Sequence, residues 1–419
     1  MAGEHASGTG GPKPHPPRAS REPRSIGARV RRGLVVSVFT LVALTLACEV
    51  YLRVTDARER SVAEGVNRTN RRWMTLLGAG LFEEVDDDVR HYAMRPGAEA
   101  RVDGWTFRVS SHRTRGEDFP AAKPAGERRL LCLGDSFAFG LWADEGETLV
   151  GHLARMANEA EAARGSGLSW RAVNLGVPGY CSTQQLASFE QDGLALEPDV
   201  VVLYFNTNDI VREGLYLSED LHALYSNHIP LLPVGLKRRL WRWSYVYGWI
   251  ANAYAKSFAS LPTPHLDPRV PWAHVRADNQ RATADAIRAI AQDCRSRGIP
   301  LFFVDQPLLT WMGDARRPDW PILPLVNWSE ALRAELGLPG ICLLPFFRGY
   351  ADNADRFPAP PDPGFLLERF IADEAVQAYL AGDVGIEPPS SPDFHFTGEG
   401  YGAIARLCYP LMRDGGLLP

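Results

Sequence analysis

Cysteine is scarce in this sequence and never clustered. The chain has six cysteines in 419 residues, namely Cys48, Cys132, Cys181, Cys294, Cys342 and Cys408. None of them forms a Cys-x-x-Cys pair or lies near a histidine at the spacing of zinc ligands, so we expect no metal site. Scattered single cysteines are typical of core residues. If the domain is exported, one disulfide is an alternative, and the sequence does not identify which two cysteines would form it.

An excess of basic residues is also missing. The chain has 45 Lys and Arg against 50 Asp and Glu, a formal net charge of −5. A protein that binds nucleic acid over its whole surface is normally basic, so we expect no nucleic-acid partner. With 45% hydrophobic and 23% charged residues, the composition is that of a globular protein. The length suits one large domain or two modest ones.

Charged residues are absent from 33–48, near the start of the chain. Roughly 20 apolar residues cross a bilayer core, and this run reaches that length by including residues 49–52. A buried core helix fits poorly, because Arg29, Arg31 and Arg32 precede the run. A cleaved signal peptide fits the basic start, but no clean small-x-small cleavage site follows, and residues 45–48 match a lipoprotein site only loosely. We favour an uncleaved transmembrane signal anchor over residues 33–54.

The segment before this run, residues 1–32, has little to bury and is expected to be a disordered basic tail. It carries seven Lys and Arg against two Glu. Positive charge is retained on the cytoplasmic side of a membrane. The sequence therefore predicts a membrane-anchored protein with its main domain extracytoplasmic, on the periplasmic or cell-surface side.

Two further regions follow the apolar run. Residues 55–128 are expected to form a helical stalk and then a small β-element, in which Trp105 to Val109 alternates at period two as a strand does. From residue 129 to 419, short apolar runs alternate with helical patterns, which indicates a parallel sheet covered by helices. The predicted strands are 130–133, 170–175, 199–205, 301–304 and 341–344, and the predicted helices are 148–163, 183–194, 283–297 and 398–412.

A long insertion at 211–274 interrupts this domain. It contains several aromatic residues, including Trp241, Trp243 and Trp249. We favour a helical subdomain in which these aromatics form a core of their own. A lid over the active site, or a surface that leans on the membrane, is the alternative, since Lys237 and its basic neighbours suit an interfacial helix.

Polar motifs follow three of the predicted strands and precede the last helix. They are Gly134-Asp135-Ser136, the stretch from Asn174 to Gly179, Asn206-Thr207-Asn208-Asp209, and Asp393-Phe394-His395. Open α/β sheets place their sites at the carboxyl ends of the strands. Each motif alone has an ordinary structural explanation as a turn or a helix cap. All four together, in this order, indicate one catalytic site.

Ester chemistry assigns a role to each motif. A serine hydroxyl needs a base to take its proton, and a histidine base works better when a carboxylate fixes its tautomer. This predicts Ser136 as nucleophile, His395 as base and Asp393 as the residue that orients it. The oxyanion needs preorganised donors, for which the Ser136 N–H, the Gly179 N–H and the Asn208 side-chain amide are the candidates.

The same motifs resemble the blocks of the SGNH/GDSL hydrolase family. Leu133-Gly134-Asp135-Ser136-Phe137 is similar to its first block, and the motifs at Gly179, Asn208 and His395 are similar to the later ones. The resemblance covers roughly residues 90–415 and implies a flavodoxin-like three-layer α/β/α sandwich with a parallel sheet, to which this chain adds an N-terminal transmembrane helix and a helical insertion. Two departures are Asn206, where the family's third block usually opens with Gly, and the single residue between Asp393 and His395.

Three hypotheses for the function remain. The first is a serine esterase that cleaves small acyl esters, chiefly acetyl, on a glycan or lipid through an acyl-serine intermediate. The second is an O-acyltransferase that acetylates an envelope polysaccharide with acyl groups from a membrane partner, because Asp-x-His spacing is also found in related domains that acetylate exported polysaccharides. The third is an inactive glycan-binding scaffold. None of them calls for a cofactor.

Overall fold

The fold is described from a computed structural model. It describes residues 26–55, 79–87, 89–90, 92–102, 104–210, 232, 236, 239–240, 243–250, 277–307, 323–347, 365–372, 374, 377 and 395–419. The chain divides into two compact units, Met1–Asp56 and Ala57–Pro419. The predicted stalk, most of the insertion, and Asp393 lie outside the described residues.

The first unit contains one long helix, α1 (Ile26–Val54). Its segment Val30–Val54 is long and apolar enough to cross a membrane, with a mean hydropathy of 2.2 in its most apolar window. A membrane anchor and a signal sequence both have these properties. The helix begins before the predicted start at residue 33, so the basic residues Arg31 and Arg32 belong to its first turns.

The first described part of the second unit is a small β-element of two hairpins. Strands β1 (Phe82–Glu84) and β2 (Tyr92–Met94) pair antiparallel, and so do β3 (Glu99–Val102) and β4 (Trp105–Arg108). Their inward side chains form a core of their own, in which Phe107 of β4 is fully buried. This core also includes Phe139, Val177 and Tyr180 from the main domain. The β-element is therefore packed against the loops that follow the first strands of the main sheet.

The main sheet has five parallel strands. They are β5 (Glu127–Gly134), β6 (Ser169–Asn174), β7 (Val200–Asn206), β8 (Leu301–Gln306) and β9 (Gly340–Cys342), in the order β6-β5-β7-β8-β9. This is the 2-1-3-4-5 order of flavodoxin-like folds. Every residue of the central strand β7 is buried, as a strand covered on both faces requires.

Helices connect and cover these strands. They are α2 (Ser136–Phe139), α3 (Leu149–Arg164), α4 (Ser182–Ser188), α5 (Ala277–Ser296), α6 (Leu323–Glu335) and α7 (Gly398–Asp414). Helix α3 packs against α7, and α4 packs against α5. Right-handed crossovers place these two pairs on opposite faces of the sheet, which gives three layers. A π-turn at Phe189–Gly193 and short 3₁₀ turns, such as Thr207–Ile210 after β7, complete the described connections.

The predicted fold class is confirmed, with shifts at the ends of elements. The predicted helix 183–194 ends as an α-helix at Ser188 and continues as a π-turn, and the strand predicted at 341–344 ends at Cys342. Helix α6 was not predicted. Its buried residues Leu325, Ser329 and Leu332 have helical spacing, but a serine inside that stripe weakens the apolar pattern.

Candidate active site

The nucleophile turn joins β5 to α2 and is tightly constrained. Gly134 has φ +152°, and a Cβ there would lie 2.5 Å from the carbonyl oxygen of Tyr204. Only glycine fits this approach to the neighbouring strand. Asp135 then caps α2, its Oδ1 accepting the Phe137 N–H at 2.9 Å. Ser136, the first residue of α2, is consequently held at the carboxyl end of the sheet.

His395 lies against Ser136, although 259 positions separate them. The His395 Nε2 atom is 2.7 Å from the Ser136 Oγ. The imidazole ring stacks on Phe137 with 4.6 Å between ring centroids. The His395 carbonyl accepts the Ala372 N–H at 2.9 Å, and two residues later Thr397 caps α7. Ring and backbone are thus both fixed, and the structure brings together the predicted nucleophile and base.

Asn208 and Gly179, two of the three predicted oxyanion donors, follow β7 and β6. The Asn208 side-chain nitrogen donates to Asp135 Oδ2 at 3.1 Å, and the Asn208 backbone N–H donates to Asn206 Oδ1 at 3.2 Å. Gly179 has φ +80°. Its loop lies on the nucleophile turn, because the Val177 N–H donates to the Gly134 carbonyl at 3.0 Å. Asn208 is therefore coupled to the residue before Ser136, and Gly179 lies on a loop that packs against the nucleophile turn.

Two buried carboxyl groups lie beside the site. Burial raises the pKa of Asp135, while the Phe137 N–H, the Asn208 amide and His395 oppose that shift. Burial, and then the charge of Asp135, raise the pKa of Asp209 well above its usual range. The Asp209 Oδ2 atom accepts the Asn206 N–H at 3.0 Å and the Gln185 amide at 2.9 Å. In both groups burial raises the pKa, and the N–H groups that donate to each carboxyl oppose that rise.

The small β-element supports the Gly179 loop through side chains that sequence reasoning missed. The Tyr92 hydroxyl donates to the Pro178 carbonyl at 2.6 Å, and the Tyr180 hydroxyl donates to the Tyr92 carbonyl. The Gln184 amide donates to the Arg90 carbonyl at 2.9 Å. These partners are 86 to 94 positions apart, so no local pattern announces them.

One group of described side chains has ligand types and spacing for a metal ion. The ligand atoms of Asp305, Glu330 and Cys342 all lie within 4.8 Å of one another. Arg333 donates to both carboxylate oxygens of Glu330, at 3.0 and 2.7 Å. Burial raises the pKa of Asp305 to about 8, and its Oδ2 accepts the Ser329 hydroxyl at 2.6 Å. Asp305 is on β8, Cys342 on β9 and Glu330 on α6.

A comparison with protein families decides the identity of the domain. Residues 132–403 match the model of the GDSL-like lipase/acylhydrolase family, from within β5 to within α7. The chain belongs to this family. The GDSL domain is accordingly an ester-bond hydrolase, as the sequence motifs predict. The match includes Ser136, Gly179, Asn208 and His395 and leaves the small β-element outside.

Solved structures of esterases resemble this GDSL domain at low identity. A lipolytic protein of the G-D-S-L family from Desulfitobacterium hafniense DCB-2 is 12% identical, with a TM-score of 0.33 over 68% of this chain and 98% of that one. An acetylxylan esterase from Geobacillus stearothermophilus is 13% identical, with a TM-score of 0.35 over 68% and 94%. A lipase/acylhydrolase from Enterococcus faecalis is 16% identical, with a TM-score of 0.31 over 69% and 96%. No curated protein matches the chain significantly.

Proposed function

We propose that the chain is a serine esterase that cleaves small acyl groups, chiefly acetyl, through an acyl-serine intermediate on Ser136. The observation that carries the proposal is the 2.7 Å separation of Ser136 Oγ and His395 Nε2. This is the hydrogen-bond distance that a general base needs to the proton it abstracts. Family membership supplies the ester bond as the target.

The reaction proceeds in two halves. His395 Nε2 takes the hydroxyl proton while Ser136 Oγ attacks the ester carbonyl, and the resulting oxyanion is held by N–H donors. The alcohol leaves with the proton from His395, and Ser136 keeps the acyl group. Water then gives its proton to His395 and attacks the acyl-serine, which releases the carboxylic acid and restores the hydroxyl.

The donors in this proposal are the Ser136 and Gly179 N–H groups and the Asn208 side-chain amide. Asn208 has the best support. Its amide nitrogen carries two hydrogens, and one of them is engaged by Asp135 at 3.1 Å. We assign the second hydrogen to the oxyanion. Asp393 keeps its predicted role as the partner of His395, and it lies outside the described residues.

A short acyl group is proposed because the nucleophile is enclosed. Ser136 is only 6% exposed, and Phe137, next to it, is 2% exposed. An acetyl group needs little space beside the hydroxyl, whereas a long chain needs a groove. As the substrate that carries the acyl group we propose a glycan or a lipid-like ester. The solved acetylxylan esterase is named for an acetylated glycan, but its TM-score of 0.35 adds no weight to this choice.

The location is proposed from α1. Its hydropathy and length suit a membrane anchor. The basic residues that precede its apolar run favour a cytoplasmic start and an extracytoplasmic GDSL domain. The division into tail (1–32), anchor (33–54), stalk with β-element (55–128) and hydrolase domain (129–419) remains a prediction.

The test uses the full chain in detergent with 4-nitrophenyl acetate, butyrate and octanoate. We expect fastest turnover of the acetate, and loss of turnover in Ser136→Ala but not in the control Ser188→Ala, which changes another buried serine. Fastest turnover of the octanoate would contradict the short acyl group. The reaction is repeated with xylo-oligosaccharides. Acetate as the product supports the esterase, and acetylated sugar in its place would show transfer, as the Asp-x-His spacing of residues 393–395 allows.

A further inference from the structure

A buried arginine from the β-element side of the chain reaches the nucleophile turn. Arg115 follows β4 and lies upstream of the family match, which begins at residue 132. It is 4% exposed. Its backbone N–H donates to the Asn174 carbonyl at 2.8 Å, at the end of β6. The backbone of Arg115 is thereby fixed next to the catalytic edge of the sheet.

The guanidinium of Arg115 donates hydrogen bonds to carbonyl groups at the end of α2 and just after it. It donates to the carbonyl oxygens of Phe139, of Gly140 at 2.5 Å and of Ala143 at 2.5 Å. Carbonyls at a helix end have no partner within the helix, so they need donors from elsewhere. Here Arg115 donates to all three carbonyls, while the Asn174 amide adds a longer bond to Phe139 at 3.3 Å and the Ala143 N–H adds one to Gly140 at 3.3 Å.

The backbone bends sharply to bring these carbonyls together. Gly140 has φ +79° and Trp142 has φ +60°, a left-handed backbone conformation that residues other than glycine rarely adopt. A Cβ on Gly140 would lie 3.0 Å from Arg115 Nη1 and 2.6 Å from Thr148 Cγ2. The fit between the turn and the guanidinium is therefore close.

Two aromatic rings enclose the guanidinium. Its central carbon lies 4.9 Å from the ring centroid of Phe107 and 4.7 Å from that of Phe139. Burial lowers the pKa of Arg115 to about 10, so the group is still charged at neutral pH. A charged donor among buried carbonyls makes stronger hydrogen bonds than a neutral one.

We propose that Arg115 is a positioning residue, which fixes the end of α2 so that the Ser136 hydroxyl stays aligned with His395. The proposal rests on the proposed role of Ser136 as nucleophile. Phe107 of the β-element supports the guanidinium, with its ring centroid 4.9 Å from the central carbon. The segment outside the family match thus becomes part of the catalytic apparatus.

A short path connects Arg115 to the serine. Helix α2 has four residues, so Ser136 and the Arg115 contacts are one turn apart. The Gly140 and Leu141 N–H groups donate to the Ser136 carbonyl at 3.0 and 3.3 Å. Gly140 therefore bonds Ser136 through its N–H and Arg115 through its carbonyl. Loss of the guanidinium frees the turn, and a shift of about 1 Å in a reacting group can cost roughly 100-fold in rate.

Arg129 provides a matched control. It is also buried, and its guanidinium donates to the carbonyls of Pro120, Ala121 and Leu196 and, unlike that of Arg115, to a carboxylate, Glu127 Oε1, at 2.9 Å. It lies 5.2 Å from the ring centroid of Phe119. Arg129 is near the amino end of β5, and Gly134 at the other end of the strand is about 16 Å away at roughly 3.3 Å per residue. Arg129→Met should lower the stability of the fold and leave the Ser136 hydroxyl aligned with His395.

The experiment compares Arg115→Met, Arg115→Lys and Arg129→Met as full-length chains. Active sites are counted by titration with a fluorophosphonate, and kcat for 4-nitrophenyl acetate is expressed per titrated site. We expect Arg115→Met to lower kcat about 30- to 100-fold with KM within about twofold, since a transition-state alignment is lost. Arg115→Lys should restore part of the rate, because one ammonium reaches fewer carbonyls than a guanidinium fork. Arg129→Met should keep kcat per site within about twofold.

Two results would overturn the proposal. One is a folded Arg115→Met with unchanged kcat per site, and the other is an equal loss of kcat in Arg129→Met. If Arg115→Met does not fold, Phe107→Leu replaces it, for which we expect a several-fold fall in kcat, and unchanged kcat would again contradict the role. Failure of the wild type to be labelled at Ser136 is a separate outcome, which would refute the proposed nucleophile instead.

Discussion

The side-chain amide of Asn208 donates to Asp135 Oδ2 at 3.1 Å, which joins the proposed oxyanion donor to the residue before the proposed nucleophile. The other carboxylate oxygen of Asp135 accepts the Phe137 N–H at 2.9 Å. One buried carboxyl group therefore orients both the nucleophile turn and the donor. Because Asp135 Oδ2 acts as an acceptor here, the side-chain nitrogen of Asn208 faces it, and the side-chain oxygen points away.

Replacement of the donor should slow the chemical step. We expect Asn208→Ala to reduce kcat by about 10²–10³ with little change in KM, as the loss of one oxyanion donor does elsewhere. The measurement is steady-state hydrolysis of 4-nitrophenyl acetate per titrated site. The control is Asn158→Ala. This change removes the two hydrogen bonds between the Asn158 side chain and the Trp170 backbone, which are not at the nucleophile turn. A similar fall in kcat in both variants would count against the assignment of Asn208.

The tyrosine contact between the β-element and the Gly179 loop should matter for stability and rate. Tyr92→Phe leaves the buried Pro178 carbonyl without its donor and should lower the free energy of unfolding by about 1–2 kcal/mol. The same change should lower kcat several-fold, because the Gly179 N–H lies one residue beyond. Urea unfolding and hydrolysis are measured together. Tyr409→Phe, which loses a bond of 2.7 Å to the last residue, Pro419, should affect stability alone. An unaltered rate in Tyr92→Phe would remove the link to the site.

Asp305 should make stability depend on pH. Burial raises its pKa in the folded chain to about 8, above the unfolded value of 3.8. Between these values the folded state binds the extra proton, so this group stabilises the fold at low pH and that contribution declines as pH rises, with a slope of at most about 1.4 kcal/mol per pH unit. Asp305→Asn should flatten the slope between pH 5 and 8 in urea titrations. An identical slope in the variant would show that Asp305 titrates normally.

The N-terminal helix should retain the protein in membranes. We expect the full chain to stay in the membrane fraction after an alkaline carbonate wash and to keep the mass of an uncleaved N-terminus. A variant limited to residues 57–419, the second compact unit, should be released. A mature protein that begins after Cys48 would instead identify α1 as a cleaved signal.

The sheet and the family could be predicted from the sequence because both depend on local patterns. The β7 run from Val200 to Phe205 is apolar throughout, which only a strand covered on both faces requires. The Gly134-Asp135-Ser136 turn and His395 have a fixed place relative to strand ends, so their meeting followed from topology. The family match confirms the ester-bond hydrolase. The roles of the individual site residues remain predictions.

Arg115 was not predicted, for a physical reason. In the sequence it stands among Ser111, Thr114 and Glu117, which resembles an exposed loop. Its partners are backbone carbonyls 24 to 28 positions away, and a carbonyl has no residue type to recognise. The contact of Asp135 with Asn208 was not predicted either, because the two motifs can be recognised in the sequence but the orientation of the Asn208 side chain cannot. Contacts of this kind depend on tertiary packing alone.

The most direct test of acyl-serine chemistry is mass spectrometry of the full chain after reaction with a fluorophosphonate. We expect one adduct per chain on the peptide that contains Ser136, with labelling at least about 10²-fold slower in His395→Gln, since a positioned base contributes about 10²–10⁴-fold. An adduct on another residue, or labelling of Ser136 at the same rate without His395, would contradict it.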